Sequence, residues 1–333
     1  MYLEREKNDA NLSRPVLITE AEGPPSKLAI RGLSLTRNGR VILDDIFLEV
    51  GTGETLGVLG AAGSGKSTLV HCVTGLCKAD MGTLWLEGSP KSPSDFLFRS
   101  KAGVVYQDSS LEPTLTAFDN LVFGGQLFGL GRSEVRKRAD ELLGFMDLRE
   151  QRNLRVENLS LSMQRRLEIA RTLIHSPEIL VLDEPTVGLE SGDFDKIWQL
   201  LGYLQEQENL SILVTTDWAA EAAKCHRLVI FDRGHVVCIE EPSSLMDNVS
   251  GEVLSIKTRQ PSFLKTYLEE ATGMYPQIID GAVELQIENA HQWLERVVDF
   301  LPDGSFDSLL VRKANLADAF LNLTGRGLNY RGS

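Results

Sequence analysis

Eight consecutive residues, Gly60-Ala61-Ala62-Gly63-Ser64-Gly65-Lys66-Ser67, fit the pattern G-x-x-x-x-G-K-[ST] at every fixed position. The apolar run Thr55 to Leu59 precedes them at strand length, and Lys66 to Leu76 follows as a helix-like stretch. Strand, glycine-rich turn and helix in that order leave few folds open to the chain. Glycines let successive backbone N–H groups turn inward around phosphate oxygens, and the helix N-terminus adds its positive end. Lys66 is then expected to reach the β- and γ-phosphates of a nucleoside triphosphate, and the Ser67 hydroxyl to ligate magnesium. Thr68 completes the run of residues expected to hold the nucleotide.

A second segment supplies carboxylates. Ile179-Leu180-Val181-Leu182-Asp183-Glu184 reads as an apolar strand carrying two acids to its C-terminal end, the edge at which α/β sheets bind ligands. Asp183 is expected to hold magnesium, directly or through water, and Glu184 to polarise an attacking water. An isolated Asp-Glu after a strand is usually a solvated strand end. The phosphate loop upstream gives this pair its chemical meaning.

The rest of the chain suits an α/β fold. Two strand-like runs, Leu28 to Thr36 and Val41 to Val50, are joined by the turn-rich Arg37-Asn38-Gly39-Arg40. The region from Thr116 to Leu148 reads helical, with Ser133 as a cap and Val135, Ala139, Leu142, Leu143 and Met146 on one face. Another helix is expected from Ser160 to about Ile174, ended by Ser176-Pro177, and strand patterns return at Ile179 to Leu182 and Ser211 to Thr215. Short apolar strands separated by helices predict a parallel-sheet core, here with an antiparallel β subdomain and an α-helical subdomain over about 108–175.

After Glu240-Glu241-Pro242 the pattern changes. Strands are expected at Glu252 to Lys257, Tyr275 to Ile279, Ala282 to Ile287 and Asp307 to Arg312. Helices are expected at Ser262 to Thr272, Ala290 to Leu301 and Leu316 to Leu323. The order β-α-β-β-α-β describes a small α+β unit of ferredoxin-like type. The expected organisation is a tail over 1–27, a nucleotide-binding domain over 28–240 and an accessory domain over 241–333.

Charge and composition narrow the function. A formal net charge of -13 argues against a nucleic-acid surface, which is normally basic. No stretch approaches the ~18 to 20 uninterrupted apolar residues of a membrane helix, and residues 1–27 lack the apolar core of a signal peptide. The expectation is a protein that stays in the cytosol. Cys72, Cys77, Cys225 and Cys238 form no C-x-x-C pair, so reduced thiols are expected rather than a disulfide frame or a zinc site.

Three further segments carry a family resemblance. Leu159-Ser160-Leu161-Ser162-Met163-Gln164-Arg165-Arg166-Leu167-Glu168-Ile169-Ala170-Arg171 lies just upstream of the Asp-Glu strand. Val105-Tyr106-Gln107 is followed by Leu115-Thr116-Ala117-Phe118-Asp119-Asn120-Leu121, and Pro185-Thr186-Val187-Gly188-Leu189-Glu190 follows Glu184. In this order and spacing they resemble the signature helix, Q-loop and D-loop of the ATP-binding subunits of ABC transporters, over about Leu28 to Glu240. The closing Leu316-Ala317-Asp318-Ala319-Phe320-Leu321-Asn322-Leu323-Thr324-Gly325-Arg326 is similar to the ending of exporter ATPases that serve drug, lipid or polysaccharide export.

The resemblance implies a P-loop NTPase that binds ATP and Mg2+ and hydrolyses ATP to drive export through a separate integral-membrane permease. It implies a second ATP-binding subunit, identical or not, paired head to tail, and a place on the cytoplasmic face of the inner (plasma) membrane. It also assigns Gln107 to magnesium and the attacking water, and Ser160, Ser162 and Met163 to the partner's nucleotide. A helix starting near Ser160 offers free N–H groups and a dipole for that purpose.

The sequence also departs from the family. The usual signature is Leu-Ser-Gly-Gly-Gln, and here Leu161 and Ser162 occupy both glycine positions. A Leu side chain obstructs close approach of phosphate to backbone, while Ser162 offers a hydroxyl instead. Asp217 stands at the catalytic switch position usually held by histidine, where an ionised carboxylate repels the γ-phosphate. Glu190 replaces the D-loop aspartate, and Asn38 stands where an aromatic often stacks on adenine. Two readings follow: a working ATPase with tolerated drift, or a degenerate subunit that binds ATP and hydrolyses it slowly alone. Other classes are a non-transport ABC ATPase clamping a partner complex, and a P-loop kinase, which the signature helix argues against.

Overall fold

The computed structural model describes residues 26–189, 191–247, 249, 251–279, 281–287 and 306–328. The chain enters through an antiparallel pair, β1 (Ser26–Arg37) and β2 (Arg40–Gly51). Asn38 and Gly39 at their turn have φ of 50° and 73°, the left-handed pair that matches a two-residue turn to strand twist. β3 (Thr55–Leu59) then leads through the glycine-rich loop into α1 (Lys66–Thr74). β4 (Met81–Leu86) and β5 (Ser89–Lys91) join the first pair, giving the sheet order β2-β1-β4-β5. This is the expected antiparallel subdomain.

α2 (Phe96–Lys101), capped by Asp95, leads into β6 (Ala102–Val105). Three helices follow: α3 (Ala117–Leu127), α4 (Arg132–Phe145) and α5 (Leu161–Leu173). Next come β7 (Ile179–Asp183), α6 (Ser191–Glu208), β8 (Ser211–Thr216), α7 (Ala219–Ala222), β9 (Arg227–Asp232) and β10 (His235–Glu240).

The central sheet has the order β10-β9-β3-β8-β7-β6. Its pairings from β9 to β6 are parallel, and β10 is antiparallel at one edge. Every residue of β3, β7 and β8 is buried, which explains why they read as unbroken apolar runs rather than alternating ones. Alternate residues nevertheless face different cores. Leu180, Leu182, Ile212 and Val214 join the side-chain cluster of the helical region, while Ile179, Val181 and Leu213 join the one shared with α1 and the antiparallel sheet. Each fully buried aliphatic contributes about 1.5–3 kcal/mol, so this two-sided burial anchors the strand ends that carry the site.

After α8 (Pro242–Asp247), the chain forms β11 (Glu252–Lys257), α9 (Pro261–Thr272), β12 (Gln277–Ile279), β13 (Ala282–Ile287) and β14 (Ser308–Lys313). These strands make an all-antiparallel sheet of order β12-β13-β11-β14. In the unit's own count that is 2-3-1-4, the ferredoxin-like order. The helix expected at Ala290 to Leu301 lies outside the described residues. The last helix, α10 (Leu316–Thr324), opens with a capping box between Asn315 and Asp318. Its Leu316, Ala319 and Phe320 pack into the core of the large domain, not into the small sheet's own cluster. Arg312 ties sheet to helix, donating to Glu284 at 2.9 Å and to both Asp318 oxygens at 2.6 and 2.9 Å.

Local expectations are corrected at two helix ends. α1 stops at Thr74, not Leu76, because Gly75 adopts φ 80° and its N–H turns back to Cys72. Ser133 lies inside α4, whose N-cap is Gly131, and the capping hydroxyl in this region belongs to Thr116 at the start of α3. The apolar face expected for α4 is as read: Val135, Ala139, Leu142, Leu143 and Met146 are buried.

Candidate nucleotide site

The C-terminal ends of the neighbouring strands β3, β8, β7 and β6 lie along one edge of the central sheet. They deliver residue 60, Asp217, Asp183 with Glu184, and Gln107 respectively, so the order of strands gathers residues that are far apart in sequence. Gly60 N–H donates to Thr216 O at 3.1 Å, tying the loop to the end of β8. A Cβ at Gly60 would sit 2.5 Å from the Phe231 carbonyl oxygen and 2.6 Å from Ser64 Oγ, so no larger residue fits without moving backbone. Gly234 N–H donates to Ser64 O at 2.8 Å and braces the loop from the β9–β10 turn. Gly63, by contrast, has φ 75° and faces open space.

Gly65 caps α1 with φ 108° and no side-chain hydrogen bond, which leaves the first-turn N–H groups directed at the loop. Lys66 is 4% exposed. Its Nζ donates to Gly60 O at 2.8 Å and Ala61 O at 3.2 Å, and it pairs with Glu184 Oε1 at 3.3 Å. Ser67 and Thr68 are half-buried, while Ala62 is exposed. A lysine held this way is poised to exchange carbonyl oxygens for phosphate oxygens.

Asp183 is buried at 1% exposure. Its Oδ1 accepts from Thr215 Oγ1 at 2.5 Å, whereas Oδ2 has no protein hydrogen-bond partner among the described residues, and Ser64 Oγ is in the same position. A buried carboxylate oxygen without a donor is costly, and a hard cation is the chemistry that relieves it. Ser67 and Gln107 carry neutral oxygens of the kind magnesium accepts. Among the described residues no group of three or more His, Cys, Asp or Glu is gathered for a metal. A magnesium ion here would therefore take most of its oxygens from phosphate and water, as it commonly does.

Glu184 follows in a left-handed conformation, φ 47°, which a non-glycine residue adopts only under constraint. Its N–H donates to Thr215 O at 3.1 Å, and its carbonyl is held from the other side by Arg165. Arg165, which the sequence shows only as one residue of the signature string, is the hub of this region. At 7% exposure it donates to Glu184 O at 2.9 Å, Asp183 O at 3.3 Å, Pro185 O at 2.8 Å and Tyr106 O at 2.6 Å. Glu168 balances its charge at 2.9 Å and itself accepts from Ser110 N–H at 2.7 Å. One guanidinium thus joins α5, the strand-end acids and the residue preceding Gln107. An arginine beside a glutamate at i,i+3 was the available signal.

The N-terminus of α5 stands apart. Among the described residues, no hydrogen bond or ion pair links 160–163 to 60–68 within the chain. Ser160 is the N-cap and accepts from Met163 N–H at 3.3 Å. Leu161, the first residue of α5, is 76% exposed. Ser162 is turned inward at 6% exposure, and its hydroxyl donates to Asp193, which also faces Arg166 at 3.6 Å. The bond to Asp193 competes, within this chain, with the expected role of the Ser162 hydroxyl toward a phosphate. Asp217 is buried at the end of β8, beside Trp218, which packs edge-on against Phe194 at 4.7 Å. Gln107 is exposed just beyond β6, and Glu190 lies outside the described residues.

The family model described as ABC transporter matches residues 43–187. The chain is 32% identical over 299 residues to the linearmycin resistance ATP-binding protein of Bacillus subtilis (strain 168), a match covering 87% of this chain and 95% of that protein. It is 33% identical over 297 residues to the Nod factor export ATP-binding protein I of Paraburkholderia xenovorans (strain LB400), covering 86% and 93%. Among solved structures, a dimeric ATP-binding cassette in a post-hydrolysis state with ADP and Pi is similar at 29% identity and a TM-score of 0.60, covering 64% of this chain and 98% of that one.

Proposed function

We propose, given that this chain belongs to the ATP-binding proteins of ABC transporters, that it energises an exporter whose permease is a separate membrane protein. ATP hydrolysis comes with the family. Among the described residues no helix is long and apolar enough to cross a membrane. A peripheral place at the cytoplasmic membrane face, held by the permease, accords with that. The export direction rests on the name of the similar Nod factor export ATP-binding protein I.

The observation that carries the site reading is the partnerless Asp183 Oδ2 at the end of β7, next to a lysine still resting on loop carbonyls. In this reading residues 60–68 bind the ATP phosphates, and Lys66 exchanges the Gly60 and Ala61 carbonyls for the β- and γ-phosphates. Ser67, Asp183 and Gln107 would hold magnesium, which when bound neutralises developing phosphate charge. Glu184 accepts a hydrogen bond from the attacking water and takes up its proton, the contribution of a general base. Arg165 keeps Glu184 in its strained conformation. The N-terminus of α5 acts on the nucleotide of a second ATP-binding subunit, head to tail, through Ser160, the backbone N–H groups and Met163. The dimeric state of the solved ATP-binding cassette supports pairing. Residues 241–333 form an appended accessory unit.

Turnover by the chain alone is expected to be slow. A leucine stands at the helix end that should meet phosphate, and within the chain the Ser162 hydroxyl is engaged by Asp193. Steady-state hydrolysis beside equilibrium ATP binding tests the assignment. Glu184→Gln should retain binding and lower turnover by about 10²–10⁴-fold. Equal turnover in the wild type and Glu184→Gln would remove Glu184 from the chemistry. Co-purification of the tagged chain with a polytopic membrane protein tests the permease.

A further inference from the structure

Two cysteines meet at the far end of α1, outside the nucleotide site. Cys72 lies in the last turn at 3% exposure, and Cys77 follows Gly75 in a half-buried position. Gly75 reverses the chain, and Cys77 N–H donates to His71 O at 3.0 Å. That bond holds the Cys77 backbone against the peptide leading into Cys72. Burial, then the charge and hydrogen bond of Cys77, push the Cys72 thiol up to about 12. From the solvent side Arg37 Nη2 donates to Cys77 Sγ at 3.0 Å and to Lys78 O at 3.3 Å. Cys77 is therefore half-buried with its sulfur touched by a guanidinium, and Cys72 is buried in the helical turn to which the Cys77 backbone is bonded.

We propose that Cys72 and Cys77 form a dithiol site that reacts with a hydroperoxide and closes to a disulfide at the end of the phosphate-loop helix. Cys77 sulfur attacks the peroxide: an S–O bond forms, the O–O bond breaks, and the departing oxygen leaves protonated as water or an alcohol. Arg37 stabilises the charge on sulfur during attack. Cys72 sulfur then displaces hydroxide from the Cys77 sulfenic acid, forming the S–S bond, and its proton leaves in that water. The two thiols lose two electrons, and the peroxide gains them. In a reducing compartment such a bond is transient, as sensing disulfides are. What sets the other cysteines apart is the lack of a neighbouring thiol among the described residues: besides burial, the group acting on Cys225 is Glu221 and the one acting on Cys238 is Glu240.

Trypsin releases both cysteines in one peptide, residues 67–78, so the test can be read on the full wild-type chain. The reduced protein is exposed to hydrogen peroxide, quenched with N-ethylmaleimide under denaturing conditions, and digested. The expected product is an unalkylated 67–78 peptide lighter by two hydrogens than its reduced form and restored by dithiothreitol, with Cys225 and Cys238 fully alkylated. Cys72→Ser should stop at a sulfenic acid that dimedone traps on Cys77, and Arg37→Gln should slow oxidation several-fold. A doubly alkylated 67–78 peptide after peroxide treatment overturns the proposal, as does oxidation spread evenly over the four cysteines.

Discussion

In the proposed site, the phosphate-loop half, residues 60–68 with Asp183 and Glu184, matches its motifs at every fixed position, whereas the signature half, residues 160–163, departs at both glycine positions. The structure explains the contrast. Gly60 is enforced from within the chain, because a Cβ would press on a backbone carbonyl at 2.5 Å. Leu161 meets no such resistance, since its side chain lies 76% exposed. The constraint at Leu161 comes from whatever faces the helix end, and the fold of one chain leaves the position free to vary.

The largest effect expected from this contrast is at Gly60. Gly60→Ala has to move backbone, and a displacement of about 1 Å in a binding loop costs about 10²-fold. ATP affinity should fall by that much in a fluorescent-nucleotide titration, while the melting temperature shows whether the fold persists. Arg165→Met comes next. It strips a donor from the carbonyls of Tyr106, Asp183, Glu184 and Pro185 and leaves Glu168 without its cation. Turnover should drop by roughly tenfold or more, with stability lowered by about 3–5 kcal/mol in chemical denaturation. An unchanged turnover would reduce Arg165 to a purely structural bond.

Leu161→Gly reverses the sign. Opening the helix end should raise turnover by roughly tenfold, about 1.4 kcal/mol, with little change in ATP affinity, because the loop half is untouched. Ser162→Ala should cost about 1 kcal/mol of stability through the lost bond to Asp193 and leave turnover as it was. A large loss of turnover there would return the hydroxyl to the nucleotide.

The smallest effect concerns the opposite end of α5. Burial holds His175 down at about 4, stacked on Phe128 with ring centroids 3.7 Å apart. The unfolded chain takes up a proton below about 6.5 while the folded one stays neutral, so stability should fall as pH drops from 6.5 towards 4. His175→Phe keeps a ring for the stack and should flatten that part of the profile in thermal melts.

Legibility in the sequence follows the range of the forces involved. The loop, the strand ends and the apolar face of α4 are set by neighbours a few residues away, and their patterns stand in the string itself. Even the small C-terminal sheet was readable as an order of elements, because its strands alternate or run apolar at strand length. What stayed hidden depends on contacts across the fold. Arg165 acts through carbonyls up to 59 residues away, with Tyr106 the most distant. Ser162 is turned inward by Asp193 on α6, 31 positions on. The early stop of α1 was local and readable, since Gly75 supplies the left-handed turn, but the apolar Leu76 masked it.

The most direct test of the central claim is ATP binding and steady-state turnover of the purified wild-type chain, measured side by side with Leu161→Gly. A complete loop half beside an obstructed signature half predicts saturable binding, slow turnover, and a gain in turnover for the glycine variant at unchanged affinity. Fast wild-type turnover that Leu161→Gly leaves unaltered would contradict it.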